Sequence, residues 1–207
     1  MRERAVSEPK SGLKTALPAA TAHLCIDMQR MFTDEGPWPT PWMERVLPTV
    51  VKLATARAGQ TIFTRFIPPQ RPEDMSGRWV DFYRHWRKVT REHLDPQLIE
   101  LVPALAGLVP PATVLDKPYY SPFFRSGLAD LLAQRRVEAL VVSGAETDVC
   151  VLAAVMHAVD LGLRVVIARD ALCSGNDETH DALMKLYEQR FSQQVELADS
   201  AEILDAW

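Results

Sequence analysis

Short apolar runs alternate with helical patterns along this chain. The runs at 138–144 and 163–170 are almost entirely apolar, which is typical of strands buried on both faces of a parallel sheet. The run at 60–67 is rich in β-branched and aromatic residues and stops at two prolines. In all, the pattern predicts six strands, at 22–28, 60–67, 112–117, 138–144, 163–170 and 193–198.

Helical patterns occupy the gaps between these runs, and four helices are predicted, at 41–59, 121–136, 147–162 and 176–191. Pro48 predicts a kink or an early break in the first of them. The regular alternation of strands and helices indicates an α/β protein. We expect a three-layer α/β/α, Rossmann-like fold with a mostly parallel sheet of about six strands.

The chain is expected to form one domain behind a short extension. Residues 1–18 are charged and interrupted by proline and glycine, which predicts a flexible N-terminal extension. Residues 19–207 then form a single domain, since about 190 residues suit one core. The stretch 68–100 is polar, basic and aromatic, and it fits the alternation poorly. It predicts an excursion of loop and short helices of the kind that often shapes a binding site.

Composition excludes several classes of function. The net charge of −4 over 207 residues lacks the excess of basic residues that nucleic-acid binding requires. No apolar run approaches the length of a membrane span. The N-terminus lacks the apolar core of a signal peptide, so a cytoplasmic location is expected. Three cysteines without a C-x-x-C pair and five histidines without ligand spacing predict reduced thiols and no metal or other cofactor.

Chemically useful side chains stand where three predicted strands end. Asp27 follows the first strand, Lys117 ends the third, and Cys150 begins the helix after the fourth. In open parallel sheets these carboxyl ends share one edge, where ligands bind. A helix N-terminus and an ammonium both favour a thiolate, and an acid can take the thiol proton. Spacing alone leaves open whether Cys150 is a nucleophile or a small packing residue.

Three segments carry a family resemblance: "LCIDMQRMF", "LDKPYYSPFF" and "VVSGAETDVCVLAAVMHAVDLGLRVVIARDALCSG". In this order and separation they resemble the isochorismatase-like cysteine hydrolases, which include nicotinamidases, N-carbamoylsarcosine amidase and ureidoacrylate amidohydrolases. The resemblance implies a catalytic triad of Asp27, Lys117 and Cys150. It also implies a cis peptide between Ala145 and Glu146, an oxyanion hole formed by the backbone N–H groups of Glu146 and Cys150, and a homo-oligomer, either dimer or tetramer.

Two departures narrow the function that the resemblance implies. Nicotinamidases carry a metal-binding Asp and His soon after the second strand, whereas this chain reads "FTRFIPPQRP" there. Members that hydrolyse the vinyl ether of isochorismate generally lack the cysteine, which is present here as Cys150. The expected activity is therefore metal-independent cleavage of a C–N bond in a small amide, ureide or carbamoyl substrate through a thioester. The alternatives are a vinyl-ether hydrolase that uses Asp27 as an acid, and a non-catalytic binding module.

Aromatic side chains near the predicted strand ends indicate a pocket for a small molecule. Most of the candidates are aromatic, and one arginine is included as a possible clamp for a carboxylate. The candidates are Phe32, Trp38, Arg65, Phe66, Tyr83, Tyr120 and Phe123. Cys25 and Cys173 are predicted to be packing thiols.

Overall fold

The structure of the protein is a computed structural model, and it describes residues 12–207. All six predicted strands are present, and each lies within three residues of its predicted bounds. The strands are β1 (Thr21–Ile26), β2 (Thr61–Phe66), β3 (Thr113–Lys117), β4 (Ala139–Ala145), β5 (Arg164–Cys173) and β6 (Val195–Ala198). They form one sheet in the order β3-β2-β1-β4-β5-β6, and every pair of neighbours is parallel.

Seven α-helices connect or follow these strands among the described residues. They are α1 (Met43–Ala56), α2 (Arg78–His85), α3 (Pro103–Ala106), α4 (Leu128–Gln134), α5 (Leu152–Asp160), α6 (Asp177–Arg190) and α7 (Ser200–Ala206). Short 3₁₀ turns lie at Arg30–Phe32, Ala58–Gln60, Pro72–Asp74, Arg87–Val89 and Pro96–Ile99. The excursion predicted at 68–100 is thus a loop with short helical elements. No helix among residues 12–207 has the length and apolar character to cross a membrane.

Two apolar cores, one on each face of the sheet, produce the three layers. Leu24 and Val142 pack on one face in a cluster that includes residues of α4, α5 and α6. Their chain neighbours Cys25 and Val141 belong to a second cluster with residues of α1, α3 and α7. Because successive side chains of a strand point to opposite faces, the continuous apolar runs are explained by burial on both faces.

Two helices differ from the sequence prediction for local reasons. The helix predicted at 121–136 starts only at Leu128, because Gly127 precedes it in the left-handed conformation (φ 80°) and Pro122 cannot donate a backbone hydrogen bond. Pro48 lies inside α1, yet the helix continues to Ala56, so the early break does not occur.

The predicted N-terminal extension is only partly within the described residues. Residues 1–11 lie outside them. Beyond that point the Gly12 N–H donates to the Leu197 carbonyl (2.8 Å) and the Leu17 N–H to the Ala206 carbonyl (2.9 Å), and the Leu17 side chain is buried. Residues 12–17 therefore contact β6 and the end of α7, while the boundary at residue 18 stays a prediction.

The centre of the sheet is the place where the strand order reverses. From β1 the chain builds outward through β2 to β3, whereas β4 starts on the other side of β1 and is followed by β5 and β6. Gly144 allows the close approach of β4 to β1: a Cβ there would lie 2.1 Å from the Ile26 carbonyl oxygen, and its φ of 107° favours glycine. Such a reversal opens a crevice at the carboxyl ends of the two strands.

A buried histidine in β1 predicts a pH-dependent stability. His23 is completely buried, with Nε2 at 2.7 Å from the Ser143 hydroxyl, and burial lowers its pKa to about 3. The unfolded chain binds this proton near pH 6.5. As the pH falls from 6.5 towards 3 the unfolded state therefore takes up more protons, and the free energy of unfolding should fall by up to about 1.4 kcal/mol per pH unit.

The contribution of His23 to the pH dependence of the unfolding free energy can be isolated by urea unfolding at pH 7, 6 and 5. In a His23→Gln variant the amide can still hydrogen-bond to Ser143, but it does not titrate. As the pH falls from 7 to 5, the unfolding free energy of the wild type should therefore decrease relative to that of the variant. A difference that stays constant over this range would contradict the buried neutral histidine.

Candidate active site

Asp27 follows β1 and lies completely buried at the crevice. Its φ of 49° places it in the left-handed region, which is uncommon for residues other than glycine but tolerated by aspartate. The Thr64 hydroxyl of β2 donates to Asp27 Oδ1 at 2.6 Å. The other carboxylate oxygen, Oδ2, is 2.7 Å from Lys117 Nζ. One carboxylate oxygen thus accepts a hydrogen bond from a hydroxyl, and the other contacts the ammonium of Lys117.

Lys117 is the last residue of β3, and its side chain is also completely buried. Besides the contact to Asp27, Nζ donates to the Tyr119 carbonyl (3.0 Å) and to Cys150 Sγ (3.3 Å), and it lies 4.9 Å from the centre of the Phe66 ring. Burial disfavours the ammonium, but the charge of Asp27 and the hydrogen bonds to Asp27 and Cys150 outweigh it, and the pKa of Lys117 is raised. The side chain is therefore an ammonium that bridges the acid and the thiol.

Cys150 joins this cluster from the turn after β4. In the sequence, Lys117 and the position at a helix N-terminus favour the thiolate of Cys150, and Asp27 can take the thiol proton. In the structure the pKa of Cys150 is raised, because burial is the largest influence and the charge of Asp27 adds to it, while Lys117 opposes both. This direction favours the thiol form, beside the ion pair of Lys117 and Asp27.

The backbone leading to Cys150 is irregular in two ways. The peptide bond between Ala145 and Glu146 is cis, which confirms the prediction. Thr147–Val151 then form a π-helical turn before α5. Within it the Glu146 carbonyl accepts from the N–H groups of Val149 (3.1 Å) and Val151 (3.0 Å), and it takes no bond from the Cys150 N–H between them. Single π turns are frequent at functional sites, and this one was not predicted from the sequence.

A cavity of about 370 Å³ opens onto Cys150. Four of the predicted pocket residues line it, namely Phe32, Trp38, Phe66 and Tyr120. The other side chains that line it, besides Cys150, are Pro37, Pro39, Phe82, Trp86, Glu146 and Val149. The helical spacing of Phe82 and Trp86 was a usable signal, because residues four apart share one face of a helix.

Three predicted pocket residues lie elsewhere. Arg65 is bound by two carboxylates, with Nε 2.8 Å from Asp116 Oδ1 and an NH group 2.6 Å from Glu100 Oε2. Tyr83 is completely buried in a small aromatic cluster behind Phe66. Phe123 packs in the core under α5, where its ring stacks 4.8 Å from that of His157. The pocket assignments of Arg65, Tyr83 and Phe123 are therefore corrected: in each case ion pairing or core packing takes the side chain away from the cavity.

The other two cysteines are buried away from the cavity. Cys25 and Cys173 are fully inaccessible, and burial raises the pKa of Cys25 to about 12. Among residues 12–207, no three or more His, Cys, Asp and Glu side chains are grouped so as to hold a metal ion.

Comparison with known proteins places the chain in a family. The isochorismatase domain family matches residues 21–199. Maleamate amidohydrolase of Pseudomonas putida is 26% identical over 189 residues, which cover 88% of this chain and 86% of that protein.

Solved structures show the same fold. A cysteine hydrolase from Pseudomonas syringae superposes with a TM-score of 0.83 at 23% identity, covering 95% of this chain and 97% of the other. N-carbamoylsarcosine amidase from Thermoplasma acidophilum gives a TM-score of 0.69 at 18% identity, covering 87% and 96%. The family match spans most of the chain and includes the whole sheet with the Asp27, Lys117 and Cys150 cluster. The chain therefore belongs to the isochorismatase family of hydrolases.

Proposed function

We propose that the protein is a metal-independent cysteine amidohydrolase that cleaves a C–N bond of a small amide, ureide or carbamoyl compound through a thioester. The observation that supports this proposal most directly is the cluster of three side chains: Lys117 Nζ lies 2.7 Å from Asp27 Oδ2 and 3.3 Å from Cys150 Sγ, and Cys150 lines a cavity with aromatic walls. The names of the relatives that hydrolyse maleamate and N-carbamoylsarcosine support a C–N bond as the target.

In the first half of the proposed reaction Asp27 acts as the base. Its carboxylate takes the Sγ proton while Sγ attacks the substrate carbonyl carbon, so that no free thiolate accumulates. This agrees with the raised pKa of Cys150. The negative charge moves from Asp27 to the substrate oxygen, and the backbone N–H groups of Glu146 and Cys150 are proposed to receive it. Lys117 stays protonated throughout and keeps the side chains of Asp27 and Cys150 next to each other.

In the second half Asp27 returns the proton. The protonated acid donates to the leaving nitrogen, the C–N bond breaks, and ammonia or an amine departs to leave the thioester. Asp27 then takes a proton from water as the water oxygen attacks the thioester carbonyl. The C–S bond breaks, the proton returns to Sγ, and the carboxylic acid is released. One water is consumed for each C–N bond that is cleaved.

The proposal is tested by ammonia release across a panel of primary amides, ureides and carbamoyl acids. We expect at least one class to be turned over, and we expect the rate to be unchanged after dialysis against a chelator, because the proposed steps use only protein groups. Turnover that disappears with chelation and returns with a divalent metal would overturn metal independence. Failure of all three classes would overturn the amidohydrolase assignment. The cytoplasmic location and the homo-oligomeric state stay predictions from the sequence.

A further inference from the structure

The cavity above Cys150 has aromatic walls and a single carboxylate. Six of its lining residues are aromatic: Phe32, Trp38, Phe66, Phe82, Trp86 and Tyr120. Glu146 also lines it, and among the described residues that line the cavity none is arginine, lysine or histidine. Its volume of about 370 Å³ suits a small molecule. The cavity therefore presents aromatic ring faces and one carboxyl group to a bound ligand.

The aromatic rings face several directions around Trp38. The Trp86 ring lies 5.7 Å from it at 77°, the Phe82 ring 6.1 Å away at 46°, and the Phe32 ring 6.1 Å away at 22°. These separations are those of packed aromatic pairs, so the rings form one packed wall of the cavity, the aromatic wall. Aromatic ring faces, above all those of tryptophan, attract cations within about 6 Å of the centroid.

Glu146 brings a carboxylate to the same cavity with one oxygen uncommitted. Oε1 accepts from the Gly175 N–H at 3.3 Å, while Oε2 has no hydrogen-bond partner among the described residues. Burial, followed by the charge of Asp148, raises the pKa of Glu146, so a bound cation would relieve an unfavourable local charge.

The two cations that β2 and β3 supply next to the site are already paired: Lys117 with Asp27, and Arg65 with Asp116 and Glu100. Arg87 and Lys88 line a neighbouring pocket that shares Pro37 and Trp86 with the cavity, but neither lines the cavity itself. A substrate carboxylate inside the cavity would thus meet no cation among its lining side chains, and it would face Glu146. This differs from what maleamate, which carries a carboxylate, would require of a site.

We propose that the substrate is a small amide whose remote end carries a positive charge, as a quaternary or protonated amine, held by the aromatic wall and the Glu146 carboxylate. This inference rests on the proposed function, because it places the scissile carbonyl at Cys150. It goes beyond that function by fixing the charge of the group at the other end of the substrate.

The test compares three amides that share one skeleton: 4-(trimethylammonio)butanamide, its neutral isostere 5,5-dimethylhexanamide, and glutaramate. Three methylenes separate the terminal group from the amide carbonyl in each, which keeps the inherent reactivity of the amides similar. We expect kcat/KM by ammonia release to be about tenfold or more higher for the cationic amide than for the isostere, and lowest for glutaramate.

Variants are judged by the ratio of kcat/KM between the cationic and neutral amides, which cancels effects on the chemical step. In Glu146→Gln and in Trp86→Leu this ratio should fall at least about fivefold. The matched control is Glu44→Gln, which removes an exposed acid on α1 and should leave the ratio unchanged. Hydrolysis of all three amides without preference for the cation, or with preference for glutaramate, overturns the inference while the proposed function stands.

If none of the amides is hydrolysed, ligand binding measured without turnover still separates the cation site from the amidohydrolase assignment. Choline and 3,3-dimethylbutan-1-ol differ only in the charged nitrogen, and their binding is followed by tryptophan fluorescence of Cys150→Ala. If no amide is hydrolysed, tighter binding of choline that is lost in Glu146→Gln supports the cation site although the amidohydrolase assignment has failed. Equal binding of the two alcohols overturns the cation site.

Discussion

Replacement of Cys150 by alanine is expected to lower kcat for any amide that the wild type hydrolyses by about 10⁴-fold or more. The variant lacks the atom that forms the thioester, and the remaining groups supply only binding and oxyanion stabilisation. The side chain lines the cavity and loses one atom, so the fold should persist. Ammonia release at saturating substrate measures the effect, and thermal unfolding verifies that the variant is folded.

Cys173→Ala is the matched control, because it also removes one buried thiol but lies away from the cavity. Its turnover should stay within a few fold of wild type. Undiminished ammonia release by Cys150→Ala would rule out covalent catalysis by this residue. Release of pyruvate from isochorismate by both wild type and Cys150→Ala would instead favour the vinyl-ether hydrolase that uses Asp27 as its acid.

Asp27→Asn should damage both catalysis and stability. Asparagine keeps the shape and tolerates the left-handed backbone at this position, but it cannot accept the thiol proton, and a fall in kcat of about 10³-fold is expected. It also leaves the ammonium of Lys117 buried without its partner, 2.7 Å from a neutral group. Breaking one side of a buried pair typically costs about 3–5 kcal/mol of unfolding free energy.

A double variant separates these two effects. In Asp27→Asn with Lys117→Met the uncompensated charge is gone, so urea unfolding should show that much of the lost stability returns. Activity should not return, because neither the base nor the ammonium is present. A double variant no more stable than Asp27→Asn alone would show that the single substitution acts through packing rather than through charge.

The sheet was predictable because its strands are buried on both faces. Such strands appear in the sequence as continuous apolar runs, and the two core clusters on alternate residues of β1 and β4 show why. The convergence of Asp27, Lys117 and Cys150 followed from topology, since parallel strands end at one edge. Helix bounds were less predictable: Gly127 and Pro122 shorten α4, whereas Pro48 does not interrupt α1.

The finer features of the site depend on tertiary contacts that spacing does not encode. The raised pKa of Cys150 comes first from burial, which the position at a helix start does not reveal. Arg65 resembles a ligand clamp in the sequence, but it faces Asp116 across the β2–β3 register. The side chain of Glu146 reaches the cavity from a turn whose π-helical hydrogen bonds no hydrophobic pattern indicates.

The sheet order also divides the reactive groups between two halves of the chain. The half that builds β1, β2 and β3 supplies the acid and the ammonium, while the half that builds β4, β5 and β6 supplies the thiol and the cavity carboxylate. The halves meet along the seam between β1 and β4, where Gly144 contacts Ile26. Neither half holds a complete reaction centre, so hydrolysis requires that the two halves meet along this seam.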